Sequence, residues 1–245
     1  MLQFNTPTTH NGIIQRIERD CGFNPGDISG NAVRLAQFTS DINSAGNEVF
    51  DALISSSGRW QIDDTNHTDL PFMYTDLVAG QRDYSFLTDG SGNMVLDIYK
   101  VMVKGSNGIY YEVDPVDVQT DINMQGFYSG QDFQGQPRRY DKTGNSILLD
   151  AIPSYSSADG LKIFYNRTPY QFLVSDTTKK PGIPGLYHEL YVLIPSYAFA
   201  RGKQLANRET LFRDKELLFG KMKVNARDRN RDEQSVIEPE YINSK

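Results

Sequence analysis

An apolar stripe near the start of the chain limits its fold more than any other feature. Leu35, Phe38, Ile42, Ala45, Val49 and Leu53 recur at spacings of three and four residues, the period at which side chains stack on one face of an α-helix. Asn31 stands where an N-cap belongs, and Ser55-Ser56-Ser57-Gly58 stands where such a helix would stop. A long helix with one apolar face must bury that face against something else. Two later segments can supply the partner. LYHELYVLIPSYAFARGKQ (186–204) is apolar enough for a core helix, and Pro195 is expected to kink it or split it in two. From about Arg208 to Arg229, Leu211, Leu218 and Met222 run beside Phe212, Phe219 and Ala226 at helical spacing, interrupted by Gly220. A shorter helix is predicted over 11–20, with Ile13, Ile14 and Ile17 on one side, broken by CGFNPGDISG.

Between Trp60 and about Arg167 the period changes. Short apolar runs at Phe72–Leu77, Tyr84–Leu87, Val95–Val103, Ile109–Val113, Ser146–Ile152 and Leu161–Tyr165 are separated by glycine-bearing turns. That pattern predicts antiparallel strands. In LKIFYN, Leu161, Ile163 and Tyr165 should face one way and Lys162, Phe164 and Asn166 the other. GQPRRYDKTGNSILLDAIP (135–153) reads as a hairpin that either frames a site or builds a wall. The polar stretch from Asp114 to Pro137 reads as a long loop, of the length that usually carries function or assembly contacts. The expected class is therefore α+β: a helical bundle with an inserted antiparallel β-sandwich or barrel-like module. Its divisions fall at 1–59 (helical), 60–176 (β-module), 177–231 (helices packing on the first, after a linker at 177–184) and 232–245 (an extended tail).

Reactive chemistry is sparse. GxSxG, HExxH, Walker A, GxGxxG and CxxC are all missing, and three histidines and one cysteine leave little for hydrolytic or redox mechanisms. A lone Cys21 excludes an internal disulfide and any multi-cysteine zinc site, and reads as a structural thiol. The oxygen-rich loop Asp63–Asp69 could offer ligands to a calcium ion but lacks the EF-hand glycine and terminal glutamate. Asp114, Asp117 and Asp121 form a carboxylate group that leaves a carbohydrate-active reading open. No run approaches the ~18 apolar residues of a membrane span, and MLQFNTPTTH has neither the basic nor the apolar region of a secretory signal. A soluble protein, intracellular at synthesis, without enzyme activity, cofactor, metal or membrane partner is the expectation. With aromatics at 11% and 14 tyrosines, the composition suits a β-rich protein with surfaces for partners.

Charge is unevenly distributed. The net charge is −6, yet Arg201–Arg231 holds ten basic residues against four acids, leaving an acidic remainder. A basic segment on an acidic body invites an electrostatic partner. The basic positions spread around the last helix and match no DNA-reading motif, so specific DNA binding is not predicted.

Taken in order, RWQIDD, PFMYTDLVAGQRDYSF, LDIYKVMVKG, GQPRRYDKTGNSILLDAIP, LKIFYNRTP and PGIPGLYHELYVLIPSYAFARG resemble the head-to-tail connectors of tailed bacteriophages, also called portal adaptors or tail accessory factors. The similarity runs from about Leu35 to Arg231. It implies a structural virion protein in the neck, assembled in the host cytoplasm as a ring of about a dozen copies under the portal. Such a ring extends the channel for double-stranded DNA and presents a surface to the next tail protein. It also implies that the segment corresponding to Arg208–Lys245 reaches the portal, which makes Arg227, Arg229, Arg231, Val236, Ile237, Tyr241 and Ile242 the portal-docking candidates. On this reading the hairpin is wall, and Arg138, Arg139, Tyr128 and Phe133 are candidates for contact with ring neighbours or tail proteins. An alternative is another tail or baseplate protein whose 114–137 loop touches a fibre or a host receptor.

Overall fold

The computed structural model describes residues 1–57, 72–88, 94–116 and 133–229. The chain divides into two compact units, Met1–His67 with Pro169–Lys245, and Thr68–Thr168.

The first unit is helical: α1 (Ile13–Asp20), α2 (Ala32–Ser57), α3 (Leu190–Lys203) and α4 (Arg208–Arg229). Asn31 caps α2, its Oδ1 accepting the backbone N–H of Val33 and of Arg34, both at 3.1 Å. All six stripe residues of α2 are buried, and α2 packs on both α3 and α4. Gly46 lies where α2 meets α3. A β-carbon there would sit 3.1 Å from the Tyr191 ring, so the missing side chain is what admits the tyrosine. Ile13, Ile14 and Ile17 of α1 are fully buried in the same core.

Pro195 does not split its helix. It lies inside a continuous α3, preceded by a 3-10 turn at Gly185–Tyr187. A proline in a helix interior costs about 3 kcal/mol or more; here Pro195 is itself buried within the helix. Nor is 177–184 a free connector. The N–H groups of Phe4 and Asn5 donate to the carbonyls of Lys179 and Thr177 at 2.7 and 3.1 Å, and Phe4 stacks on Phe172 at 4.8 Å. No periodic signal marks these residues, because an irregular segment is held by partners far along the chain.

In the second unit seven strands form one curled, half-barrel-like sheet. They are β1 (Phe72–Leu77), β2 (Asp83–Ser85), β3 (Val95–Lys104), β4 (Tyr110–Pro115), β6 (Arg139–Thr143), β7 (Ser146–Leu149) and β9 (Ser157–Arg167), in the order β1-β9-β3-β4-β6-β7-β2. Two short strands, β5 (Gln134–Gly135) and β8 (Ile152–Pro153), pair separately. The sheet is antiparallel except where β4 meets β6, and the β5–β8 pair is also parallel. A parallel pair needs a connection of a dozen or more residues. The polar stretch after β4 provides that length, so part of its role is topological.

Inside the curl, Leu161, Ile163 and Tyr165 of β9 meet Val101 and Val103 of β3 and Ile147 and Leu149 of β7. Asn166, expected on the face opposite Tyr165, is buried as Tyr165 is. The register between β9 and β3 shifts beside it, where β3 carries an extra residue between Val95 and Asp97.

Candidate functional site

The hairpin at 139–149 builds wall. Tyr140, Ile147 and Leu149 are buried in the core of the sheet unit, and the reversal is made at Gly144, whose φ of +59° favours glycine. Arg138 and Arg139 flank its start and are exposed. Their backbone is committed to the sheet: the Arg138 N–H donates to Asp150 Oδ1 at 2.9 Å, and the carbonyls of Arg138 and Arg139 accept from the N–H groups of Asp114 and Asp150, both at 3.0 Å. Phe133, 70% exposed, directly precedes β5. Tyr128 lies outside the described residues.

The outer face of the sheet is built by the same alternation that fills its core. Directly opposite pairs place Phe72 of β1 beside Phe164 of β9, and Tyr74 of β1 beside Lys162 of β9. Lys162 in turn faces Met102 of β3. The Lys162 ammonium lies 4.2 Å from the centre of the Phe72 ring, 5.0 Å from Phe164 and 5.5 Å from Tyr74. Tyr110 and Tyr99 extend the ring contacts on either side. Phe72 and Tyr74 remain 44% and 45% exposed. Exposed aromatic and methionine side chains are enriched at protein interfaces, and the Lys162 ammonium is held among the rings by their quadrupoles. None of these residues was a candidate from sequence. The signal was available in FMYTDL and LKIFYN, where the positions alternating with the core carry rings instead of polar groups.

On the helical unit, Arg227 is exposed on the last turns of α4. Arg229 ends that helix, and its side chain lies outside the described residues, as do Arg231, Val236, Ile237, Tyr241 and Ile242 entirely. Beside this end of α4 runs an apolar groove, two adjoining hollows of about 510 and 200 Å³ that share Leu186, Tyr187 and Asn225. Leu53, Pro184, Leu218 and Val224 complete its apolar lining. The Asn225 side-chain amide donates to the Tyr187 hydroxyl and ties α4 to the 3-10 turn below it.

Three of the groups with shifted acidity belong to the cores. Burial pushes the Cys21 thiol up to about 11, the Ser196 hydroxyl partly opposing this and the Asp20 charge adding to it. Burial also raises Tyr84 and Tyr140 above the usual phenol range. Tyr84 spends its hydroxyl on the 78–81 turn, accepting from the Val78 N–H at 3.1 Å and donating to the Gln81 carbonyl at 3.0 Å. A third hollow holds Asp20, Glu189 and Asp214, but each carboxylate pairs with an arginine: Arg19 at 3.2 Å, Arg16, and Arg213 at 3.4 Å respectively. Among the described residues no three His, Cys, Asp or Glu side chains are placed to hold a metal ion. The Asp63–Asp69 loop lies outside them. So do Asp117 and Asp121, and Asp114 stands exposed on β4. No helix among the described residues is long and apolar enough to cross a membrane.

Comparison with known families gives the context for these surfaces. Over residues 8–237 the chain matches the family model described as SU10 adaptor protein. No curated protein matches it. The chain belongs to the SU10 adaptor protein family, a phage head–tail adaptor family.

Proposed function

We propose that this member of the SU10 adaptor family is a connector that assembles as a ring of about twelve copies under the portal. Its family gives it a structural role as a head–tail adaptor, engaging phage portal and tail components within the virion. The finer reading adds that the ring continues the DNA channel in the neck, after assembly in the host cytoplasm. The match over 8–237 carries this proposal, since it spans both units and most of the chain.

The surfaces divide the work between them. The portal is met by the segment from Arg208 onward, through Arg227, Arg229 and Arg231 and the apolar Val236, Ile237, Tyr241 and Ile242. The sheet unit meets ring neighbours or the next tail protein through Arg138, Arg139, Tyr128 and Phe133, and through the face around Lys162. Apolar and aromatic area buried between copies stabilises such a ring. An acidic body suits a channel through which DNA must slide without adhering, because neutralised phosphates would hold it.

Native mass spectrometry of the protein mixed with its own phage's portal ring tests the reading. A fixed increment of about twelve copies is expected. A folded protein that adds no copies would remove the role from the portal and place it further down the tail. A chain lacking residues 232–245 should remain folded and lose attachment; attachment at full affinity would show that the docking residues are misassigned.

A further inference from the structure

We propose that the apolar groove beside α4 is a latch site for the chain's own following segment, with Val236 and Ile237 seated in it before the protein meets a partner. The groove is unusually open for an apolar surface: Leu186 is 80% exposed and Val224 47% exposed. Leu53, Pro184 and Leu218 line it further, and Lys221 supplies a cation. Leucine and valine left in water beside a concave apolar lining mark a surface made to be covered.

Charge, reach and tethering identify the occupant. Lys221, exposed on the C-terminal half of α4, is the cation in the groove's lining. The segment that follows carries Asp232, Glu233, Glu238 and Glu240, with no cation between Asp232 and Ile242. In sequence Val236 and Ile237 fall in the middle of these acids, an apolar pair with an acidic frame that complements an apolar groove carrying Lys221. Distance permits the return. The seven residues from Arg229 to Val236 span up to about 24 Å when extended, and Leu218 lies about 16 Å back along the helix at 1.5 Å per residue. A tether this short gives an effective concentration in the millimolar range, well above that of a second copy at micromolar protein. The occupant is therefore the chain's own segment. Because the same two residues are portal-docking candidates, docking would have to open the latch. That consequence rests on the portal reading; the latch does not.

Fluorescence anisotropy with a labelled peptide of residues 232–243 tests the proposal on full-length protein. The peptide is titrated onto the wild-type chain and onto the Val236→Ser/Ile237→Ser chain, whose own segment no longer competes. Binding to the double-serine chain at least about tenfold tighter than to wild type is expected. Adding Leu186→Glu and Val224→Glu to the double-serine chain should abolish it. Both positions are exposed, and Val224→Glu alone serves if the pair disturbs folding. Equal binding to wild type and to the double-serine chain overturns the latch, as does binding to neither or binding that survives the groove substitutions. Wild-type oligomers that the serine substitutions convert to monomers would also overturn it, placing the segment in a neighbour's groove. Portal attachment is scored separately, so its failure leaves the anisotropy result standing.

Discussion

Two sets of aromatic rings in this protein have similar spacing and opposite surroundings. In the helical unit Phe4 stacks on Phe172 at 4.8 Å, and Phe23, Phe38 and Phe199 meet one another at 5.1–6.1 Å. In the sheet unit Phe72, Tyr74 and Phe164 meet at 5.3–5.8 Å. Ring spacing does not separate the sets; burial and charge do. Phe4, Phe38 and Phe172 are buried within the helical core, whereas Phe72 and Tyr74 lie open around the Lys162 ammonium. An aromatic cluster stabilises a fold chiefly by the area it removes from water. The outer face of the sheet removes little area from water, so its rings add little to the fold and are the ones assigned to association in the proposed function.

The largest break of this comparison should come from Phe4→Ala. Truncating a fully buried phenylalanine costs about 3–5 kcal/mol, and chemical denaturation should show the helical unit losing that much. A loss under 1 kcal/mol would mean that the N-terminal segment is not part of the core.

Glu18→Ala should rank second. Its buried carboxylate accepts the N–H groups of Gly26, Ile28 and Ser29 at 3.2, 2.9 and 2.9 Å, holding the whole loop between α1 and α2. Leaving these donors without an acceptor should cost about 2–3 kcal/mol, with faster amide exchange confined to residues 22–30. Unchanged exchange there would show that the loop is held by other contacts.

The sheet face should behave in the opposite way. Phe72→Ala with Phe164→Ala is expected to change the stability of the isolated chain by less than the Phe4 substitution, about 1 kcal/mol. The same pair should impair assembly in native mass spectrometry. A large stability loss with assembly intact would return these rings to the core.

The smallest effect concerns Cys21. A thiol held at about 11 stays protonated at pH 8, so alkylation of the folded chain should be far slower than that of the unfolded chain. Because the folded value is the raised one, its contribution to stability is present below the unfolded thiol's value near 9 and is lost as pH rises toward 11. Rapid alkylation at pH 8 would mean that this part of the core opens readily.

The sequence by itself determined the local elements. Asn31 and the stripe from Leu35 to Leu53 located α2 and the face it buries, since a helix cap and a 3.6-residue period depend only on neighbours within a few positions. Short apolar runs between turn signals likewise located β1, β3 and β9, and the turn at Gly144 located the hairpin. Tertiary structure decided what those signals could not carry. The helix runs uninterrupted through a buried Pro195, and the stacking of Phe4 on Phe172 joins segments more than 160 residues apart. The parallel pairing of β4 with β6 is a long-range choice of the same type. The candidate surfaces follow this division. FMYTDL and LKIFYN each reveal rings on a non-core face, but only the strand register sets Phe72 and Tyr74 around Lys162. The groove at Leu186 and Val224 has no local signature, because its walls come from three separated segments and a concavity exists only once they pack.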